Sequence, residues 1–305
     1  MNSAQYKKGW LVTTGIAKML IGAEPGERIN TIREYVSLLG ASRGMVQNTL
    51  QVLQDEGAVA LEKRGKFGTF ITAIDQAALF RLADIQYITG SMPTPFTYVF
   101  AGLATGISRG MGYCPVPFNF AFVQGAGNRV DALRRGVCDF VILSEAAAAR
   151  HTADDPALEI AAALNCCRYG EPYVFCSRGE EITAPMDGMT IAADPRSTDQ
   201  FRITRQLCES RNVELVQCAF SACRAMFLER AVDCVVYPRE DWTRMEGIWT
   251  HELPGLAQRE LHTPSLLTLK SNAVMGRILR ACLADEEIAG IQKQVMERKT
   301  QPRFS

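Results

Sequence analysis

Three histidines in 305 residues leave the chain short of the side chain that most often binds metals or acts as a general base. It also lacks any run near the roughly 18 apolar residues that a membrane-spanning helix needs. Net charge is missing as well: 33 Lys and Arg balance 33 Asp and Glu, which argues against a nucleic-acid coat protein but leaves room for a local basic surface. Ten cysteines are present, yet none forms a CxxC pair or sits with histidine at zinc spacing, and Cys166 and Cys167 are adjacent. They read as small buried hydrophobes of a reducing compartment, with Arg168 beside Cys167 as the place to look for a redox-active thiolate. No metal and no cofactor are expected. Lys7 and Lys8 ahead of an apolar stretch mimic a secretory leader, but Lys18 interrupts it and no cleavage site follows, so the expected location is cytoplasmic. What is abundant is apolar material, 47% of the residues, enough for two or three compact units.

The most informative stretch is 30–71. Ahead of it, Val12, Ile16, Met19 and Leu20 fall on one face of a first helix. Thr31-Ile32-Arg33-Glu34 then supplies both halves of a capping box, so a helix starts there, and Gly40 stops it. Ser42 caps a second helix after a turn of about 3 residues. On that helix Val46, Leu50 and Leu53 repeat as the buried stripe, which leaves Arg43, Gly44, Gln47, Asn48 and Gln51 facing outward, donors and acceptors nearly free of acid. Two short strands, 58–62 and 68–72, flank Lys63-Arg64-Gly65-Lys66-Phe67, a basic hairpin whose cations suit DNA phosphates. The first 75 residues carry nine cations against seven acids, so the signal lies in their placement.

This segment resembles the GntR family of bacterial winged-helix regulators. Leu39-Gly40-Ala41-Ser42-Arg43 stands at that family's turn and first reading arginine, Leu53-Gln54-Asp55-Glu56-Gly57 at the helix end, and Gly68-Thr69-Phe70-Ile71 at the wing. Two positions depart from the pattern: Gln47 replaces a second arginine, and Ile32 an acid before Arg33. The resemblance implies DNA contacts from Arg33, Ser42, Arg43, Gln47, Asn48, Lys63, Arg64 and Lys66, with base edges read by Arg43 and Gln47 and phosphates held by Arg33 and the wing.

A helix over 75–88 with Leu79, Phe80, Leu82 and Ile85 reads as a linker ending at the Gly90-Ser91-Met92-Pro93 breaker. Beyond it, β-branched runs at 97–100, 118–123, 140–143, 190–192, 213–216 and 234–237 alternate with helices, the pattern of one or two parallel α/β sheets. Residues 132–142 echo 227–236, each a helix end, an aspartate (Asp139, Asp233) and a buried strand. Two lobes with crossings near 173–177 and 253–267 would make a bilobal binding protein. That pattern resembles the type 2 periplasmic-binding-protein fold used as an effector domain, and the whole chain resembles the YhfZ-like regulators. The expected architecture is therefore α/β: a winged helix-turn-helix over 1–72, a linker helix over 73–92, and a bilobal effector-binding domain over 93–305.

Two enzyme patterns fail. Gly106-Ile107-Ser108-Arg109-Gly110 matches G-x-S-x-G, but a helix rather than a strand precedes it. Gly125-Ala126-Gly127-Asn128-Arg129-Val130 begins a dinucleotide fingerprint but has Val130 for the third glycine. That turn is either plain or presents free N–H groups to a ligand carboxylate or phosphate. Asp194-Pro195-Arg196-Ser197-Thr198-Asp199 opens a second-lobe helix, where Ser197 or Thr198 is a cap alone or a cap that also holds an anion with Arg196. Glu145 and Glu240 at strand ends would suit a cationic group, hence an amphoteric ligand. The expected ligand set is Gly102, Gly125, Gly127, Asn128, Ser144, Glu145, Arg196, Ser197, Thr198 and Tyr237, with no catalytic residue. Together these features point to a cytoplasmic, non-enzymatic, homodimeric transcriptional regulator whose partners are operator DNA and a small-molecule effector, with no membrane partner. The rival is a solute-binding scaffold or enzyme-derived α/β protein whose winged helix serves only packing or dimerisation.

Overall fold

The structure is a computed structural model that describes residues 3–179, 181–242, 245–253 and 261–304. Two compact units emerge. The first comprises the chain through Ile88 with Gly112–Phe118 and Ala273–Cys282, and the second comprises Thr89–Met111, Asn119–Asn272 and Leu283–Ser305.

The first unit contains α1 (Ser3–Leu20), α2 (Ile32–Leu39), α3 (Arg43–Asp55), β1 (Val59–Lys63), β2 (Thr69–Ile74) and α4 (Gln76–Leu82). The capping box forms: Glu34 N–H donates to the Thr31 hydroxyl, and the Thr31 N–H donates to Glu34 Oε2 at 2.6 Å. Gly40 closes α2 with φ 58°, a left-handed cap that a side chain resists, and the Ser42 hydroxyl accepts from Met45 N–H to start α3. β1 and β2 pair antiparallel as the wing.

The buried stripe of α3 is Val46, Thr49 and Leu53, not Val46, Leu50 and Leu53. Thr49 lies under α1, its hydroxyl 3.5 Å from that of Thr13, so Leu50 is rotated to half-exposure. Helix α10 (Ala273–Cys282) completes this unit from far along the chain. There the Arg277 guanidinium donates to the carbonyls of Lys18 and Ile21, two of the acceptors that the C-terminal end of a helix leaves unpaired.

The linker helix is shorter than expected. It ends at Leu82, and the supposed breaker is the strand β3 (Ile88–Met92). Gly90 serves close packing there, because a Cβ would sit 2.5 Å from the Phe140 ring. The stretch expected as a strand at 97–100 instead opens α5 (Tyr98–Met111), since the Thr97 hydroxyl accepts from Phe100 N–H as a helix cap.

The second unit has two lobes of one plan. β4 (Phe118–Phe122), α6 (Ala126–Arg134), β5 (Phe140–Ser144), α7 (Glu145–Asp154), β6 (Leu158–Ala163) and β12 (Pro264–Leu269) join β3 and α5 in the first lobe. β7 (Tyr173–Arg178), β8 (Thr190–Ala193), α8 (Thr198–Cys208), β9 (Glu214–Gln217), α9 (Phe220–Leu228), β10 (Cys234–Pro238) and β11 (Ile248–Glu252) build the second. The sheets run β4-β3-β5-β12-β6 and β9-β8-β10-β7-β11.

The echo seen in sequence is a structural equivalence. Asp139 accepts from Thr89 N–H and Asp233 from Thr190 N–H, each at 2.8 Å, so one aspartate clamps β3 to β5 and the other clamps β8 to β10. Neither sheet is purely parallel. β3 with β5 and β8 with β10 are parallel, but β12 and β7, which the chain adds after crossing between lobes, run antiparallel to β5 and β10. The segment expected as a crossing at 173–177 is β7 itself, and the second crossing includes residues 254–260, outside the described part. Finally, α11 (Asp285–Met296) packs along α5.

Candidate functional site

Two surfaces gather the candidate residues. On the first unit, Arg33 of α2, Arg43 and Gln47 of α3 and Lys63 at the end of β1 line one groove. All four are exposed, and one helical turn separates Arg43 from Gln47. The other expected contacts part from this group. Ser42 and Asn48 line a different depression together with Lys8 and Trp10 of α1, and the Ser42 hydroxyl is committed to its cap. Arg64 is bonded at 2.6 Å to Glu62 and stacked 4.7 Å from the Phe70 ring centroid, so its charge is largely answered within the wing. Lys66 is exposed in the short helical turn at the wing tip.

The second surface is the cleft between the lobes of the second unit, about 810 Å³ of empty space including its open mouth. Gly125, Ser197, Thr198 and Tyr237 line it as expected. The turn at Gly125 takes φ 81°, which glycine adopts without strain. Its further role, and that of Gly127, is to admit the other lobe: a Cβ on Gly125 would lie 3.0 Å from the Arg196 carbonyl oxygen, and one on Gly127 3.3 Å from the Arg196 guanidinium carbon. Gly127 N–H donates to that carbonyl at 3.1 Å.

Arg196 is therefore a latch in this closed form rather than an open fork for an anion. Its Nε donates to Asn128 Oδ1 at 2.9 Å, and its guanidinium pairs with Asp131, whose carboxyl it holds below the usual carboxylate range. Ser144 is fully buried. Its hydroxyl caps α7 and donates to Asp199 Oδ2 at 2.6 Å, a further bond between lobes. Another joins His151 Nε2 to the Thr198 hydroxyl at 3.2 Å, with burial holding His151 below its ordinary pKa and so neutral.

Six expected ligand residues are not among those lining the cleft: Gly127, Asn128, Ser144 and Arg196, which are taken up in bonds from lobe to lobe, and Gly102 and Glu145. Gly102 lies inside α5 against α11, where a Cβ would be 2.8 Å from the Gln292 carbonyl oxygen, so it is a packing glycine. Glu145 begins α7 and is not among the lining residues, and the side chain of Glu240 is outside the described part. Ser108 lies on α5, so the G-x-S-x-G pattern makes no strand-to-helix elbow.

The deepest polar groups of the cleft stand within the two turn motifs of the sequence but carried no expected ligand role. Arg129 of α6 and Asp199 of α8 are 3% and 8% exposed and both line the cavity. A charge within the first turn or so of a helix ordinarily faces water, so their inward direction left no signal in the chain. The surrounding wall is aromatic: Phe220 stacks on Tyr237 at 4.7 Å, Phe100 meets Tyr169 edge-on at 5.3 Å, and Phe96 stands at the mouth. Among the described residues no cluster of His, Cys, Asp and Glu able to hold a metal was found, and no helix is long and apolar enough to cross a membrane.

Comparison with known proteins places these units in context. Residues 24–71 match a helix-turn-helix domain family and residues 75–304 match the YhfZ C-terminal domain family. The uncharacterized protein YhfZ of Escherichia coli strain K12 is 28% identical over 308 residues, covering 100% of both chains. Among solved structures, YhfZ from Shigella flexneri is similar at 25% identity and a TM-score of 0.61, over 75% of this chain and 97% of that one. An ancestral arginine-binding protein bound to arginine has a TM-score of 0.53 at 12% identity, over 70% of this chain and 97% of that one, a likeness of fold alone.

Proposed function

From its membership of the YhfZ C-terminal domain family, to which the chain belongs by a match over residues 75–304, we propose that this protein is a DNA-binding transcriptional regulator whose bilobal unit senses a small metabolite. The observation that carries the reading is the groove shared by Arg33, Arg43, Gln47 and Lys63, in which a reading helix and a basic wing converge as GntR-type winged helices use them. Arg43 and Gln47 would reach base edges in the major groove, while Arg33, Lys63 and Lys66 would neutralise phosphates. One such unit contacts too few base pairs for tight selectivity. The protein would therefore act as a cytoplasmic homodimer on inverted half-sites about one helical turn, or a multiple, apart.

The effector's part is to shift populations. A molecule that binds between the lobes favours the closed form only by the contacts it gains on closure, and by linkage the operator must alter effector affinity as much as the effector alters operator affinity. No catalytic step is part of the proposal. Selecting genomic fragments on the purified full-length protein tests it. An enriched inverted repeat, bound less selectively by Arg43→Ala, is the expected outcome, and no enrichment over random DNA would refute the regulator.

A further inference from the structure

Two ionisable side chains of opposite sign are buried in the cleft, and neither is fully satisfied. Arg129 donates from its terminal nitrogens to the Val123 carbonyl and the Tyr169 hydroxyl, each at 2.9 Å and both neutral, while its buried Nε has no hydrogen-bond partner among the described residues. Asp199 accepts the Ser144 proton on Oδ2, and its buried Oδ1 likewise has none. No ion pair forms on either group among the described residues. A buried charge without a counter-ion is costly, and a binding protein can hold one where a ligand completes it. Arg129 and Asp199 attract each other across the cleft without forming an ion pair, and their other charged neighbours are few. Arg202 lies on the same helix as Asp199, Glu171 at the cleft wall sits 4.0 Å from Arg168, and His151 is neutral.

We propose that the cleft takes a zwitterion of the α-amino-acid class with an apolar or aromatic side group. Its carboxylate would meet Arg129 and Tyr169, its ammonium would meet Asp199 Oδ1, and its side group would lie against Phe100 and the Phe220–Tyr237 stack. Other chemistries complete the site less well. A phosphate dianion would face the Asp199 carboxylate, a neutral sugar would leave both charges uncompensated, and a simple amine would leave Arg129 alone. Tyr237 and Phe220 offer flat apolar faces rather than a polar fringe, which sets the side-group preference. The inference rests on the reading of the cleft as an effector site.

The test is isothermal titration of the full-length protein with the proteinogenic L-amino acids one at a time, including L-phenylalanine with phenylpropionate and phenethylamine, and L-leucine with isocaproate and isoamylamine. An apolar amino acid should bind, with each singly charged analogue at least about a hundredfold weaker, since each leaves one buried charge unpaired. Asp199→Asn should lose that preference for the zwitterion over the carboxylate analogue, and Arg129→Met the preference over the amine. Thermal melting of each variant shows that it has folded. If no amino acid binds, or if an analogue lacking one charge binds within about tenfold of its parent, the proposal is overturned. Neutral sugars, sugar phosphates and alkanesulfonates form a control arm. Binding by one of these in place of the amino acids overturns the zwitterion while leaving the sensor intact, whereas amino-acid binding with unchanged operator affinity supports the zwitterion and removes the sensor.

Discussion

Replacing Arg196 by alanine should open the cleft of the ligand-free protein. The residue joins the lobes through its side chain in two ways, an ion pair with Asp131 and a hydrogen bond to Asn128 at 2.9 Å. The ion pair is weak because its side chains are 49% and 32% exposed, so water and salt reduce it to under about 1 kcal/mol. The bond to Asn128 contributes about 1 kcal/mol more. Together the loss is about 1–2 kcal/mol, a shift of about 5- to 30-fold from closed toward open. Closure is not abolished, because the backbone bond from Gly127 to the Arg196 carbonyl and the bond from Ser144 to Asp199 both survive the substitution. Fluorescence transfer between dyes on the two lobes of the full-length protein reads the population directly, and Arg196→Lys should fall between alanine and wild type. The gap between wild type and Arg196→Ala should also narrow with added salt, as the half-exposed ion pair is screened. An unchanged transfer efficiency in Arg196→Ala at low salt would refute the latch.

On a selected operator, Arg43→Ala should cost about 1–3 kcal/mol and relax sequence preference, whereas Lys66→Ala should weaken all sequences alike and flatten the salt dependence; gel-shift titrations at several salt concentrations check both. Gln292→Leu should destabilise the protein by about 3–5 kcal/mol, because the buried amide bonds Val99 O, Arg168 O and Arg168 N–H, and a urea midpoint equal to wild type would contradict that. Asp199→Asn should raise the melting temperature of the ligand-free protein. Burial pushes the Asp199 carboxyl up, so the ionised form opposes folding; with a raised folded pKa, the wild type loses stability as pH rises through that value and regains it on acidification, and the advantage of asparagine should shrink in acid. A melting difference that grows as pH falls would reverse the assignment.

Much of the helix-turn-helix unit was legible in the chain because its signals are local. A capping box, a glycine at φ 58° and a capping serine act over three or four residues, and each formed where Thr31, Gly40 and Ser42 stand. The repeated lobes were legible through Asp139 and Asp233, which make the same bond to the strand beside them. What failed was direction across space. Gly90 read as a breaker until the Phe140 ring lay against it, and Gly102 read as a cleft residue until α11 packed on it.

The sequence alone determined the types and approximate limits of α3, the β1–β2 hairpin and most of the alternating strands, because capping, turns and apolar periodicity are properties of neighbouring residues. Only the tertiary structure decided which strands run antiparallel, because that depends on segments arriving from the other lobe. It also decided that Arg196 ties lobe to lobe while Arg129 and Asp199 face inward. A side chain's charge is written in its residue type, but whether that charge meets water, a partner or a cavity depends on groups 55 to 70 residues away that only folding brings near.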